Sequence, residues 1–365
     1  MSNNAGKKIV VGMSGGVDSS VAALLLKNQG YDVQGLFMQN WQNEPGEVCT
    51  SEVDFADASK VCDSLDIPLH RANFSDEYWE RVFKEFLSEH EKGRTPNPDI
   101  LCNREIKFKS FLDYAFKIGA DLIATGHYAK LVKTDGQTRL MRAHDLNKDQ
   151  TYFLHEVKEA EFAKCLFPLQ DLPKNKVRQI AEEHNFINHD KKDSVGICFV
   201  GERNLRDFLK RFISFKPGYI KDLDGHVLGE HPGALLFTQG QRQGLNVGGV
   251  RNKSELPWYV YDKSIELNEV YVCQGGSNPL LMSSGLMMES MKWINEMADQ
   301  PTSLECLVQV RHRGQPIKCK AVFESSGVQL SFADPIRAIA PGQSAVLYSD
   351  NQCLGGGIIA KSIKL

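Results

Sequence analysis

The chain has 365 residues, 42% of them hydrophobic and 24% charged. At roughly 100–200 residues per domain this is enough for two or three domains, and the ordinary composition excludes a disordered, collagen-like or low-complexity chain. Lys and Arg number 43 against 46 Asp and Glu, so the formal net charge is −3; taken over the whole chain, that argues against a protein that clings to any polyanion.

Residues 8–13 (KIVVGM) predict a buried parallel strand, followed by a Gly/Ser turn and a helix over 19–27 that Gly30 stops. Residues 31–38 predict the next strand, 52–65 and 76–91 predict helices, and 120–125 predict a short strand running into Gly126 and His127. Strands alternating with helices imply an α/β fold with a doubly wound parallel sheet. Ligands then sit beyond the carboxyl ends of the strands, at the turns after residues 13, 38 and 125. The pattern changes near Lys216-Pro217-Gly218. Short strands follow at 219–223, 226–229, 258–262 and 269–273, around a glycine-rich loop at 240–249. The last ~85 residues alternate as the strands of a small β-barrel or sandwich do. The expected domains are 1–215, 216–278 and 279–365, the second small and mixed.

No apolar run approaches the ~18 residues of a membrane span. The first eight residues carry neither an apolar signal core nor an Arg-rich presequence. A cytoplasmic protein with no membrane partner is expected. The nine cysteines (49, 62, 102, 165, 198, 273, 306, 319 and 353) are odd in number and form no C-x-x-C pair, so a disulfide framework is not expected. Most should be small buried apolar residues.

Three segments carry chemistry. In the first, Ser14-Gly15-Gly16-Val17-Asp18-Ser19-Ser20 lies between a strand and a helix. Adjacent glycines let the backbone turn its N–H groups toward phosphate oxygens, the helix adds its positive end, and Asp18 is a carboxylate able to hold a phosphate-bridging Mg²⁺. This is neither a Walker A motif nor a G-x-G-x-x-G turn. The second, Gly93–Phe108 (GRTPNPDILCNREIKF), holds two prolines and then a carboxylate three residues before a thiol. If a helix begins near Asp99, Asp99 caps it and Cys102 lies one turn on, where the helix end favours the thiolate. By themselves these residues are better read as a loop with a capping Asp and a buried Cys. The third, Asp193-Ser194-Val195-Gly196-Ile197-Cys198-Phe199-Val200-Gly201, sets a cysteine in a short apolar run beside Arg203 and Arg206. Alone, it is also an ordinary buried strand.

SGGVDSS resembles the signature of the PP-loop ATP pyrophosphatases, whose fold is adenine nucleotide alpha hydrolase-like. All three segments together, in this order, closely resemble the tRNA-specific 2-thiouridylase family. The resemblance spans nearly the whole chain, including ATGHY at 124–128, NKDQTYF at 147–153, TQGQRQG at 238–244 and PGQSA at 341–345. It implies an ATP-dependent tRNA-uridine 2-sulfurtransferase. ATP would bind along Gly12, Met13, Ser14, Gly15, Gly16, Val17, Asp18 and Ser19, with Met38 and Gly126 beside adenine and ribose; for Met38 a place in the core is an equal reading. The wobble uridine, turned out of its stack, would attack the α-phosphate through its 2-oxygen. A persulfide on Cys198, loaded by a sulfur-relay protein, would deliver sulfur. Cys102 would then release it, leaving a Cys102–Cys198 disulfide or freeing hydrogen sulfide, with Asp99 as general acid/base. Asn97, Pro98 and Asp99 are implied at the target base. His127, Lys148, Asp149, Gln150, Arg311 and Gln343 are implied as contacts to the tRNA anticodon stem-loop. The other seven cysteines are assigned to packing. A competing idea makes Asp99, Cys102 and Cys198 ligands of an iron–sulfur cluster; it is not favoured, because only two cysteines are available to it. No metal site of the protein's own is expected.

Two rivals use the same loop differently: a PP-loop ligase acting on a small carboxylate or amide, and an RNA-binding protein with a vestigial ATP loop. The net charge of −3 also divides unevenly. Residues 174–216 hold ten Lys/Arg and six acids, while 40–66 hold seven acids and one Lys. The basic stretch is expected to line the cleft shared by Cys102, Cys198 and the ATP loop.

Overall fold

The computed structural model describes residues 4, 6–41, 50–193, 205–249, 253–297, 299 and 301–365. Cys49, Ser194 to Gly201 with Cys198, and Arg203 lie outside them.

The first strand, β1 (Lys8–Met13), is apolar throughout because both of its faces are covered. It pairs in parallel with β2 (Asp32–Gln39) on one side and β4 (Leu122–Ala124) on the other. With β3 (Leu69–Asn73) and β7 (Cys165–Leu166) the order is β3-β2-β1-β4-β7, all parallel. The order reverses direction at β1, which makes the sheet doubly wound and opens a crevice at the carboxyl ends of β1 and β4. Alternate side chains build two cores. Ile9, Val11, Met13 and Phe37 pack under helices α1 (Val17–Asn28) and α2 (Thr50–Ser64). Val10, Leu36 and Met38 face the opposite layer, which includes Phe83, Cys102 and Phe108.

The helix expected at 76–91 forms as Ser75–Tyr78, a π-helical Trp79–Phe83 and Lys84–Glu91. Its aromatic face meets the short helix Leu205–Leu209 and the residues just after it: the Phe83 ring lies 5.5 Å from Phe208 and 5.0 Å from Phe212.

Past residue 216 two bodies built mainly of strands follow. β8 (Gly218–Lys221), β9 (Val227–His231), β10 (Trp258–Ser264) and β11 (Glu269–Gln274) form a four-stranded sheet. Residues 240–249 form no regular element, as expected. β12 (Met282–Met288), β14 (Ser303–Gln309), β15 (Ile317–Glu324), β16 (Gly327–Arg337), β17 (Ser344–Ser349) and β18 (Gln352–Lys364) close into a six-stranded barrel through the β12–β18 pairing, with β13 (Lys292–Trp293) alongside β18. One connection was not expected. A hairpin of the first domain, β5 (Lys130–Thr134) and β6 (Gln137–Met141), continues the barrel sheet, Met141 pairing with Gln352 of β18. Among the described residues no helix is long and apolar enough to cross a membrane.

Candidate active site

The turn between β1 and α1 is built by its own hydroxyls. Ser19 Oγ donates to the Gly16 carbonyl at 3.0 Å, as does Ser20 Oγ. The Ser14 N–H donates to Ser19 Oγ at 3.2 Å. Gly16 occupies the N-cap without a side-chain cap, so the first turn of α1 presents backbone N–H groups that have no intrahelical acceptor. That is the arrangement for holding phosphate oxygens. Gly15 has φ +75°, and a Cβ there would lie 2.3 Å from the Asp54 carbonyl oxygen on α2. The turn after β4 also has no spare room: a Cβ on Gly126 would lie 2.9 Å from the backbone of Asp18 and Ser19. Glycine at 126 therefore lets two crevice loops touch. Met38 is buried, its Cε 3.5 Å from the Cβ position of Gly12.

The Asp18 carboxylate is already engaged. Both oxygens accept from Lys174 Nζ at 2.7 Å, and Tyr128 OH donates to Oδ1 at 2.9 Å. This donor set does not fit a divalent ion at Asp18, because the ammonium stands where the ion would. Lys174 is buried, and it also pairs with Asp193 at 2.7 Å. Asp193 further accepts from Lys148 at 2.8 Å and Arg178 at 3.1 Å. Lys191 Nζ reaches the Gly15 carbonyl at 3.2 Å, Asp54 at 2.8 Å and Asp57 at 2.7 Å, and Asn188 Nδ2 reaches the Gly15 carbonyl at 3.0 Å. Lys174, Arg178 and Lys191 of the basic stretch thus lie near the ATP-type loop, where each is paired with carboxylates; the cleft expected to join them to Cys198 involves residues outside the described ones.

Burial opposes ionisation of Asp193, but hydrogen bonds from Lys148 and Lys174 outweigh it and hold the carboxyl at about 2. An unfolded aspartate titrates near ~3.9, so this stabilisation is whole above about pH 4 and is lost as pH falls toward about 2. The Tm difference between wild type and Asp193→Asn is therefore expected to close over that interval. A difference that stays constant from about pH 5 to pH 2 would count against the ion-pair account.

The second segment corrects one expectation. The helix Pro98–Leu101 is capped by Asn97, whose Oδ1 accepts from the Asp99 N–H at 3.1 Å, not by Asp99. Pro98 takes the first helical position, where its missing N–H costs nothing, and Asp99 falls inside the first turn. Cys102 opens a nine-residue π-helical stretch, Cys102–Ser110, and is fully buried. Such segments are rare and concentrate at functional sites. The preceding residues are clamped from two other bodies of the molecule: the Thr95 N–H donates to the Pro341 carbonyl at 3.0 Å, Thr95 Oγ1 meets Thr238 Oγ1 at 2.9 Å, and Gln343 Nε2 donates to the Thr95 carbonyl at 2.7 Å. A cavity of about 100 Å³ opens beside Asn97, lined also by Leu101, Glu156, Lys292 and Ser344.

A chain of contacts joins the two segments. Asp18 bonds Tyr128, and the Tyr128 N–H donates to Gln150 Oε1 at 2.9 Å. Gln150 precedes the short helix Thr151–Leu154, and Asn103 Nδ2 donates to the Phe153 carbonyl at 3.1 Å, next to Cys102. Lys107, on the Cys102 helix, lies 3.5 Å from His127 Nε2, while His127 Nδ1 meets Thr125 Oγ1 at 2.7 Å. Burial, with the Lys107 charge behind it, drives the His127 pKa well down and keeps the ring neutral. Asp149 accepts from the Ala143 N–H at 2.9 Å and from Thr151 Oγ1 at 2.6 Å. Of the residues implied as RNA contacts, His127, Asp149, Gln150 and Gln343 therefore hold the site's own loops together, Lys148 is paired with Asp193, and Arg311 is exposed.

Cys198 lies outside the described residues, so its approach to Cys102 does too. Among the described residues, the one group of three or more potential metal ligands is Asp222, Asp224 and His226, in the central sheet body. There Lys253 Nζ already sits 2.9 Å from Asp222 and 2.7 Å from Asp224. Cys62, Cys165, Cys273, Cys319 and Cys353 are buried, as packing requires; burial pushes Cys62 up to about 12 and Cys273 to about 11. Asn188 was not picked out in the sequence, and Lys174, Asp193 and Tyr128 stood in quoted stretches with no role given to them. Lys174 carried a signal: a lysine opening a helix opposes the helix dipole, which points to a partner elsewhere.

Residues 7–202 match the family described as tRNA methyl transferase HUP domain. Residues 206–274 match the tRNA methyl transferase PRC-barrel domain, and 283–359 the aminomethyltransferase beta-barrel domain. The chain is 50% identical over 364 residues to the tRNA-specific 2-thiouridylase MnmA of Idiomarina loihiensis, covering 99% of this chain and 98% of that one. It is 52% identical over 354 residues to the enzyme of the same name from Pseudomonas fluorescens, covering 97% and 94%. A solved U34-tRNA thiolase, NcsA from Methanococcus maripaludis with its [4Fe-4S] cluster, aligns at 19% identity and a TM-score of 0.37 over 57% of this chain and 67% of that one, a likeness too slight to bear on the chemistry here. With half of all positions identical along almost the full length of such relatives, the chain belongs to the tRNA-specific 2-thiouridylase family.

Proposed function

We propose that this protein is a tRNA sulfurtransferase that thiolates the 2-position of the wobble uridine at the expense of ATP. The observation that carries the reading is the contact chain from Asp18 through Tyr128 and Gln150 to the Cys102 helix, which couples a phosphate-cradling loop to a thiol. ATP lies along residues 12–19 with its phosphates on the α1 N-terminus. The uridine 2-oxygen attacks the α-phosphorus and pyrophosphate leaves, so that a poor leaving oxygen becomes AMP. The outer sulfur of a Cys198 persulfide attacks C2 and AMP departs. The Cys102 thiolate then attacks the Cys198 sulfur, the S–S bond breaks, sulfur stays on the base, and a Cys102–Cys198 disulfide remains for a thiol reductant. Asp99, in the helical turn just before Cys102, moves the protons. Because Cys102 is fully buried at rest, this step requires the segments around it to rearrange when tRNA binds. The anticodon stem-loop is the RNA bound, and a sulfur-relay protein loads Cys198.

The test is pyrophosphate release from ATP. It is expected only with tRNA present, together with 2-thiouridine among the tRNA nucleosides by mass spectrometry. Release driven by a small carboxylate in place of tRNA would instead support a PP-loop ligase, and no release under any condition a vestigial loop.

A further inference from the structure

The barrel holds a second pair of thiols that the proposed reaction does not use. Cys306 on β14 and Cys319 on β15 are directly opposite each other in an antiparallel ladder, with their sulfurs 3.6 Å apart. Both face the barrel core: Leu304, Cys306 and Val308 pack with Cys319 and Ala321. Among the described cysteines, Cys306 is the one that is not buried, so an oxidant reaching this part of the chain meets it first.

We propose that Cys306 and Cys319 form a reversible disulfide site that exchanges with small-molecule disulfides. The geometry is permissive before any movement. Directly opposed residues in an antiparallel pair have Cα atoms about 4.5 or 5.5 Å apart, and a disulfide accepts about 4.4–6.8 Å. The side-chain hydrogen bond from Cys319 lowers the Cys306 pKa and raises that of Cys319, which divides them into an attacking and a resolving thiol. The Cys306 thiolate attacks one sulfur of R–S–S–R, and one RS⁻ leaves. Cys319 then gives up its proton and attacks the Cys306 sulfur, expelling the second RS⁻. The chain loses two electrons and two protons, and the small disulfide becomes two thiols.

The bond would close the hairpin whose loop, 310–316, carries Arg311 and His312. The His312 ring lies 4.3 Å from that of Phe153 in the first domain. Oxidation therefore restrains one of the places where the barrel touches the helix after Gln150. The inference stands independently of the proposed reaction.

The test equilibrates the full-length protein with reduced and oxidised glutathione, blocks free thiols, and maps peptides without reductant. A cross-link between the peptides holding Cys306 and Cys319 is expected, with the loss of two hydrogens. It should be absent in Cys306→Ser. Cys319→Ala should stop at a glutathione adduct on Cys306. Thiolation by reduced Cys306→Ser should stay within about twofold of wild type. A disulfide between Cys102 and Cys198 maps to other peptides and does not confuse the result. Free thiols at both 306 and 319 under oxidising glutathione, or a wild-type adduct on Cys306 that never resolves, would overturn the proposal.

Discussion

Replacing Cys102 by serine is expected to cut tRNA thiolation by about 10³-fold or more, as loss of a nucleophile does in other covalent mechanisms, while tRNA-dependent pyrophosphate release from ATP changes little. The two halves of the reaction are separable because they use different atoms. Adenylation needs the residue 12–19 loop and the turned-out base; sulfur transfer needs a thiolate. Serine is nearly the size of cysteine, and Cys102 lies in one continuous core with Ile100, Ile106 and Phe108, so the variant should keep its fold and its tRNA affinity. Its hydroxyl, titrating far above a thiol, supplies no nucleophile at neutral pH. Parallel assays of pyrophosphate release and of 2-thiouridine decide the matter. Full thiolation by the serine variant would sink the two-cysteine mechanism, and loss of both activities together would place Cys102 in ATP or tRNA binding instead.

The second large effect is expected at Gly15. Its Cβ would lie 2.3 Å from the Asp54 carbonyl oxygen, and the obstacle is helix backbone, which cannot swing aside. Gly15→Ala must therefore push the β1–α1 turn away from α2, and a displacement of about 1 Å in a positioning element costs on the order of 10²-fold. A fall of that size in tRNA-dependent pyrophosphate release is expected. Gly136, in the β5–β6 turn, provides the control. It has the same φ of +75°, with nothing within 4 Å of its Cβ position. Gly136→Ala bears the backbone penalty of about 1–2 kcal/mol for a left-handed residue without the collision, and should leave the activity intact. If the two variants lost activity alike, the close approach to α2 would not be what Gly15 is for.

The parts of this site that were legible in sequence are those whose signal is local. The KIVVGM strand, the SGGVDSS turn and the helix after it are specified by residues adjacent in the chain, and they appear where expected. The cap at residue 97 was also local: Asn followed by Pro is a helix-start pattern in its own right, and the carboxylate two residues on drew attention from it. The partners of the basic stretch were not legible. That Lys174 meets Asp18, 156 positions away, and that Lys191 meets Asp54 and Asp57 on α2, depends on how the helix Lys174–Glu183 lies against α1, which no local pattern encodes. The consequence for charge is specific. The acidic and basic stretches do not stand apart as separate faces; in part they neutralise each other across the ATP-type loop. The same holds for the β5–β6 hairpin, whose pairing with β18 spans more than half the chain.

That hairpin bears on how the chain could be divided. It lends its edge to β18, and the core that contains Cys102 and Tyr152 also contains Val346, Tyr348 and Cys353 of the barrel. Thr151 Oγ1 lies 3.1 Å from Tyr348 OH, and Tyr152 OH donates to the Ser344 carbonyl. A first domain cut free of its barrel would bare a strand edge and an apolar face together, the combination that invites aggregation. A barrel grafted from a relative would have to match both the edge at Gln352 and the ring at Tyr348. The barrel is therefore a structural wall of the first domain, and its contacts make it unsuited to exchange as a cassette.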